Sequence, residues 1–267
     1  MFTKYVHGYT DREARRLEDQ ANTLTELLHH DSIWPAGELI LEAGCGVGSQ
    51  TKIVAVKNPE SRFISFDISL ASILKAKSMT HSLGIENVSF QQADIFNLPY
   101  PDACFDHIMV CFVLEHLAGY QAALNELKRV LKTGGSITVI EGDHGSAYFH
   151  PDSEDAYAAI QCQIELQKRD GGDANIGRKL YPILINAGFK QVQVTPRQVY
   201  ADFSRPQMVE GFTRNTFTAM IEGVGENAIK QNLISAEKFD KGVRDLYRTA
   251  EEDGVFCYTF FKGVAIK

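Results

Sequence analysis

Ala14, Leu17, Ala21, Leu24 and Leu28 recur at alternating spacings of three and four, behind the capping box Thr10-Asp11-Arg12-Glu13. This predicts an amphipathic helix ahead of the first strand. At 38–43 the pattern changes to a short apolar strand running into glycines, and a helix from Ser49 stops before Asn58-Pro59. The alternation continues with a strand at 62–67, a helix at about 71–83, and strands at 87–92 and 105–111. Leu124, Leu127, Val130 and Leu131 give the next helix one apolar face, and Gly134-Gly135 ends it before a strand at 136–141. Five strands with intervening helices predict a doubly wound, mainly parallel sheet.

The second half is less regular. Helices are predicted at about 153–169 and 178–187, and two β-rich runs, 191–200 and 257–266, are expected to pair as an antiparallel hairpin at one edge. The roughly fifty residues between these runs include helical stretches at 206–224 and 236–251 and are too long for a turn, so they are read as a cap over a ligand pocket. The expectation is an α/β, Rossmann-like, doubly wound seven-stranded sheet with helical cap insertions, forming a single domain over 1–267. Within it lie an N-terminal helical cap (1–36), a binding core (37–145) and a second half (146–267) carrying the insertion at about 203–253.

Composition narrows the partners. The chain has 267 residues and a formal charge of -7, without the clustered Lys and Arg of a nucleic-acid surface, which favours a small molecule over DNA or RNA. Five cysteines, Cys45, Cys104, Cys111, Cys162 and Cys257, form no Cys-x-x-Cys pair, which suits reduced thiols and a cytoplasmic location. The first residues lack a charged-then-apolar leader and no run approaches a membrane span. A monomer or homodimer is expected, with no metal.

The turn Glu42-Ala43-Gly44-Cys45-Gly46-Val47-Gly48 joins the first strand to its helix. Glycines there let backbone approach a ligand, or allow strand and helix to pack closely. Position 49 is serine, so the turn departs from the Gly-x-Gly-x-x-Gly spacing of nicotinamide sites, although a dehydrogenase remains an alternative. Asp67 ends the second strand nineteen residues after Gly48, where a carboxylate can accept from ribose hydroxyls, or can serve the next helix start with Ser69.

These residues resemble the class I S-adenosylmethionine-dependent methyltransferases, especially the small-molecule group related to quinone- and sterol-methylating enzymes. The matching stretches run in family order: 41–48, Phe66-Asp67-Ile68-Ser69, 92–99 with Asp94 and Ile95, 105–116, and 131–136. The resemblance implies S-adenosylmethionine as methyl donor and S-adenosylhomocysteine as product. It places Glu42, Gly44, Cys45, Gly46 and Gly48 against the methionine and ribose portions, Asp67 on the ribose and Ile68 on the adenine. Asp94 and the Ile95 amide would meet the adenine edge, and backbone at Cys111 and Phe112 the amino group. Tyr9 and Arg16, with Tyr5, are candidates to close over the cofactor, Arg16 by pairing its carboxylate. Gln50 and Thr51 could reach the methionine end. A non-catalytic cofactor-binding protein is the second reading.

Methyl transfer from a sulfonium is an in-line displacement that needs positioning above all, and a base only when the acceptor must lose a proton. Asp143 and His144, beyond the fifth strand, are the candidate bases; otherwise Asp143 caps a loop and His144 fills a polar gap. Glu115-His116 reads as the start of a helix. Tyr148, Phe149, His150 and Pro151, with Phe203, Met208, Phe212, Arg214, Phe217 and Met220, are candidate walls of an apolar acceptor site. No nucleobase-methylating Asn/Asp-Pro-Pro-aromatic motif follows Cys111.

Overall fold

The strands alternate their buried faces as a two-sided sheet requires. The computed structural model describes residues 11–267. In β1 (Leu39–Ala43) Ile40 packs with Val54 and Ala55 of α2 (Thr51–Lys57), whereas Leu41 faces Leu124 and Leu127 of α4 (Tyr120–Val130). The adjoining β4 (Phe105–Cys111) repeats this, with Met109 on the first side and Ile108 and Val110 on the second. β2 (Arg62–Asp67), α3 (Leu70–Ser82) and β3 (Val88–Gln92) extend the sheet on the other flank.

The seven strands run in the order β3-β2-β1-β4-β5-β7-β6, where β5 is Leu131–His150, β6 Lys190–Asp202 and β7 Val255–Ile266. β7 pairs antiparallel with both β5 and β6, and the remaining pairs are parallel. The expected antiparallel edge is present. Its two strands are joined by helices rather than a turn. Strand order reverses between β1 and β4, the position at which open α/β sheets form a ligand crevice at their carboxyl ends.

β5 is far longer than the expected 136–141. Gly134-Gly135 lie in an irregular stretch between the pairs Phe105↔Leu131 and His107↔Ser136, so α4 ends earlier, at Val130. A second irregularity separates Asp143↔Thr259 from Tyr148↔Cys257 and re-aims the side chains between them.

The second half supplies α5 (Glu154–Arg169) and α6 (Leu180–Asn186). The insertion folds as a short α7 (Pro206–Met208), a π-helix over Val209–Thr218, then α8 (Ala219–Gly223), α9 (Gly225–Lys230) and α10 (Ala236–Arg248). Phe212 and Phe217 of the π-helix and Phe256, Tyr258 and Phe260 of β7 form one aromatic cluster with Leu24 and Leu28 of α1 (Asp11–His29). Thus α1 and the insertion cover the same end of the sheet. The Tyr5 and Tyr9 expectations lie outside the described residues. No described helix is long and apolar enough to cross a membrane.

Candidate active site

A cleft of about 360 Å³ lies at the carboxyl ends of the strands, walled by the glycine turn, Asp67, Asp94, the segment after β4, α1 and the π-helix. The three glycines of the turn have different duties. All have positive φ: +70° at Gly44, +52° at Gly46 and +87° at Gly48. A Cβ on Gly44 would sit 2.5 Å from Val113 Cγ2, and one on Gly48 would sit 2.8 Å from Met79 Cε, so these two serve close packing. A Cβ on Gly46 would meet nothing within 4 Å among the described residues; Gly46 lines the cleft. Close packing thus accounts for Gly44 and Gly48, while Gly44 and Gly46 both border the cleft.

Asp67 serves the start of the next helix, one of its two expected readings, and also holds the glycine turn. Its Oδ1 accepts from the Ser69 amide at 2.8 Å, which orders the start of α3, and its Oδ2 accepts from the Gly46 amide at 2.8 Å. Burial raises its pKa, while these amide bonds pull the other way. Ile68 is 43% exposed and lines the cleft beside it. Asp94 accepts from the Phe96 amide at 3.0 Å, an Asx turn, and lines the cleft with Ile95.

Glu42 lies beneath the turn, buried and outside the cleft lining; its Oε2 accepts from Thr51 Oγ1 at 2.7 Å and Ser65 Oγ at 2.6 Å. Burial pushes its pKa up to about 7. Glu141 performs a similar task after β4, accepting from the Val113 and Leu114 amides at 3.1 and 2.8 Å. Its other oxygen is buried without a hydrogen-bond partner among the described residues, and burial raises the carboxyl well above the usual range. Between them Cys111 and Phe112 line the cleft; Phe112 has φ 59°, a strained conformation secured by its amide bond to Ile140 O at 2.9 Å.

The acceptor end differs from expectation. Asp143 does not line the cleft: its two carboxylate oxygens receive Nε and Nη2 of Arg178 at 2.7 and 2.6 Å, a bidentate pair that commits the carboxylate elsewhere. His144 does line it, with Nδ1 2.7 Å from the Tyr258 hydroxyl, and burial lowers its pKa. Glu115, His116, Tyr258 and Phe260 also line the cleft, although the motif pattern marked them as structural or passed over them. The signal for the aromatics was present: Phe256, Tyr258 and Phe260 alternate along β7 and so share one face. Phe212, Phe217 and Met220 line the cleft as expected, while Phe203 is 61% exposed and Tyr148 51% exposed, and neither joins it. Arg214 points to Ala250 O and Glu251 and lies outside the lining. Met208 packs in the core.

On α1, Glu13, Arg16, Leu17 and Gln20 follow helical spacing and face the cleft together. Arg16 Nε and Nη2 donate to Glu13 at 2.8 and 2.7 Å, and Nη1 to Gln20 at 3.1 Å. Gln50 completes the lining at the start of α2. No described group of His, Cys, Asp and Glu has the arrangement of a metal site.

The profile of the methyltransferase domain matches residues 36–188, more than half of the chain and the whole span from β1 through α6. The chain belongs to the methyltransferase domain family. Among relatives of this family, 27-O-demethylrifamycin SV methyltransferase of Amycolatopsis mediterranei is 31% identical over 134 residues, covering 50% of this chain and 49% of that protein. The ubiquinone/menaquinone biosynthesis C-methyltransferase UbiE of Pseudomonas savastanoi is 28% identical over 191 residues, 70% of each. The chain spans about half the length of several curated relatives it matches. Among solved structures, a phosphoethanolamine N-methyltransferase from Haemonchus contortus bound to phosphomonomethylethanolamine and S-adenosylhomocysteine superposes with a TM-score of 0.58 at 15% identity, over 93% of this chain and 52% of that one, a likeness of fold. All methyltransferase domain residues named above, from Gly44 to His144, lie within the matched span.

Proposed function

We propose that the chain is an S-adenosylmethionine-dependent methyltransferase acting on a small, largely apolar acceptor. The observation that carries the reading is the Asp67–Gly46 cradle, in which a carboxylate orders a glycine whose missing side chain leaves backbone open to the cleft. The donor supplies an activated methyl group on a sulfonium, and transfer proceeds as an in-line displacement that positioning accelerates. The residues fit that group: Asp67 suits ribose hydroxyls, Ile68 an adenine face and Asp94 with Ile95 an adenine edge.

The chain's own contribution at the acceptor end is enclosure and one base. Phe112, Phe212, Phe217, Met220 and Phe260 give an apolar wall that excludes water. In the tautomer whose Nδ1–H donates to the Tyr258 hydroxyl oxygen, His144 takes the acceptor's proton at Nε2, with Asp143 fixing the loop through Arg178. This favours a hydroxyl or similar protic acceptor over one already charged. S-adenosylhomocysteine titrated in a calorimeter should bind, and Asp67→Ala should abolish the heat; no binding to the intact chain overturns the reading. Incubation with isotopically labelled donor and a metabolite extract, followed by mass spectrometry, identifies the acceptor, and a persistent absence of labelled product favours a non-catalytic binding protein.

A further inference from the structure

A hydrogen-bonded chain runs from β7 to the cleft, reaching Gln50 through three residues, Lys262, Ser32 and His29, that no motif above includes. Lys262 on β7 is buried, and its Nζ donates to Leu28 O at 3.2 Å, Asp31 Oδ1 at 2.6 Å and Ser32 Oγ at 2.9 Å. Ser32 Oγ is 3.1 Å from His29 Nδ1, and His29 Nε2 is 2.8 Å from Gln50 Oε1. Ser32 and His29 are both buried. Gln50 opens on the cleft.

The polarity of this chain follows from the donor inventory. An ammonium only donates, so Ser32 Oγ accepts from Lys262. If the Ser32 hydroxyl then donates to His29 Nδ1, the imidazole carries its hydrogen on Nε2 and donates to Gln50 Oε1. With Oε1 taken by His29, the Gln50 NH2 is the side-chain donor left on a residue that lines the cleft. The reverse order, with His29 Nδ1–H donating to Ser32, leaves the Ser32 hydroxyl hydrogen buried with no acceptor among the described residues, which is the costly outcome. A doubly protonated ring is disfavoured as well, because burial lowers the His29 pKa to about 4.

We propose that Lys262, Ser32 and His29 form a polarised relay that locks the Gln50 amide with its NH2 toward the cleft, as a donor to the carboxylate of the cofactor's methionine moiety. This rests on the S-adenosylmethionine reading given above. Of the described cations that line the cleft, Arg16 has its fork engaged by Glu13 and Gln20, and Lys75 stands on α3 rather than beside the start of α2. In this arrangement Gln50 reads the carboxylate, and His29 is its positioning residue.

The test compares S-adenosylhomocysteine with its decarboxylated analogue by calorimetry. Wild type should prefer the carboxylated ligand by about tenfold or more, the range of a hydrogen bond to a charged group. His29→Ala should weaken S-adenosylhomocysteine about tenfold and leave the analogue within twofold, and His29→Gln, which restores an amide donor, should recover the preference. Equal weakening of both ligands in His29→Ala means a merely structural role and overturns the relay. Gln50→Glu keeps the acceptor for His29 and thus the local fold, yet turns an anion toward the carboxylate. It should reverse the preference, and an unchanged preference overturns the proposal. If wild type binds neither ligand, the cofactor reading itself has failed.

Discussion

Replacing Glu42 by Gln should change how stability depends on pH while leaving the local structure in place. The Glu42 carboxyl is 2% exposed, and its pKa is raised from 4.5 to about 7 by burial, against the opposing hydroxyl bonds from Ser65 and Thr51. The folded-state value lies above the unfolded one, so the folded protein holds this proton more tightly. Its contribution is fully present below pH 4.5 and is lost as pH rises through 7. At about 1.4 kcal/mol per unit, the shift corresponds to about 3 kcal/mol between those limits. Full burial means that solvent screening gives little discount. Gln mimics the protonated acid: its oxygen can replace Oε2 in accepting from Thr51 and Ser65, and its amide cannot ionise. Thermal unfolding followed by circular dichroism at pH 5 and pH 8.5 should therefore show a smaller loss in Glu42→Gln than in wild type. The difference between the two proteins should be about 6–10 °C for a domain of this size. Taking the difference removes the contribution of Glu141, whose raised pKa acts in the same direction. Parallel pH profiles for the two proteins would refute the assignment of a buried, proton-holding Glu42.

His29 should act with the opposite slope. Its folded pKa is lowered to about 4, so its contribution is present above pH 6.5 and is lost as pH falls toward 4; His29→Gln should flatten that acid limb in an unfolding titration. Gly44→Ala forces a Cβ to within 2.5 Å of Val113 and should lower stability by about 1–3 kcal/mol in denaturant. Gly46→Ala meets no such overlap, so it should unfold closer to wild type while weakening S-adenosylhomocysteine more than tenfold in a calorimeter. His144→Gln and Tyr258→Phe should reduce kcat and alter its pH profile at nearly unchanged cofactor affinity, whereas Asp143→Asn, which breaks the Arg178 pair, should appear chiefly as a lower Tm.

Local pattern was enough to identify the β1 to α4 half, because each element there buries a face whose period can be counted along the chain. The glycine turn and Asp67 were legible because a tight turn and a strand end restrict residue type at fixed spacing, whereas Asp94 was marked by the family resemblance. The acceptor end was not legible in this way. Asp143 and His144 are adjacent in sequence, yet β5 runs on past the expected 136–141, so strand alternation sends one to Arg178 and the other, with Gly142, into the cleft. Tyr258, the partner of His144, lies 114 residues away. Lys262 reaches Ser32 across 230 residues.

What the sequence determined by itself was the fold class, the glycine turn that borders the cleft and the expectation of a helical cap, since these depend on periodicity and on backbone that glycine tolerates, while the residues expected around the cofactor came from the family resemblance. The tertiary structure decided which of the candidate side chains share the cleft, which glycines are committed to close packing and which partner holds Gln50 Oε1. The physical reason is that burial and hydrogen-bond satisfaction are set by neighbours from distant segments, which no local spacing encodes.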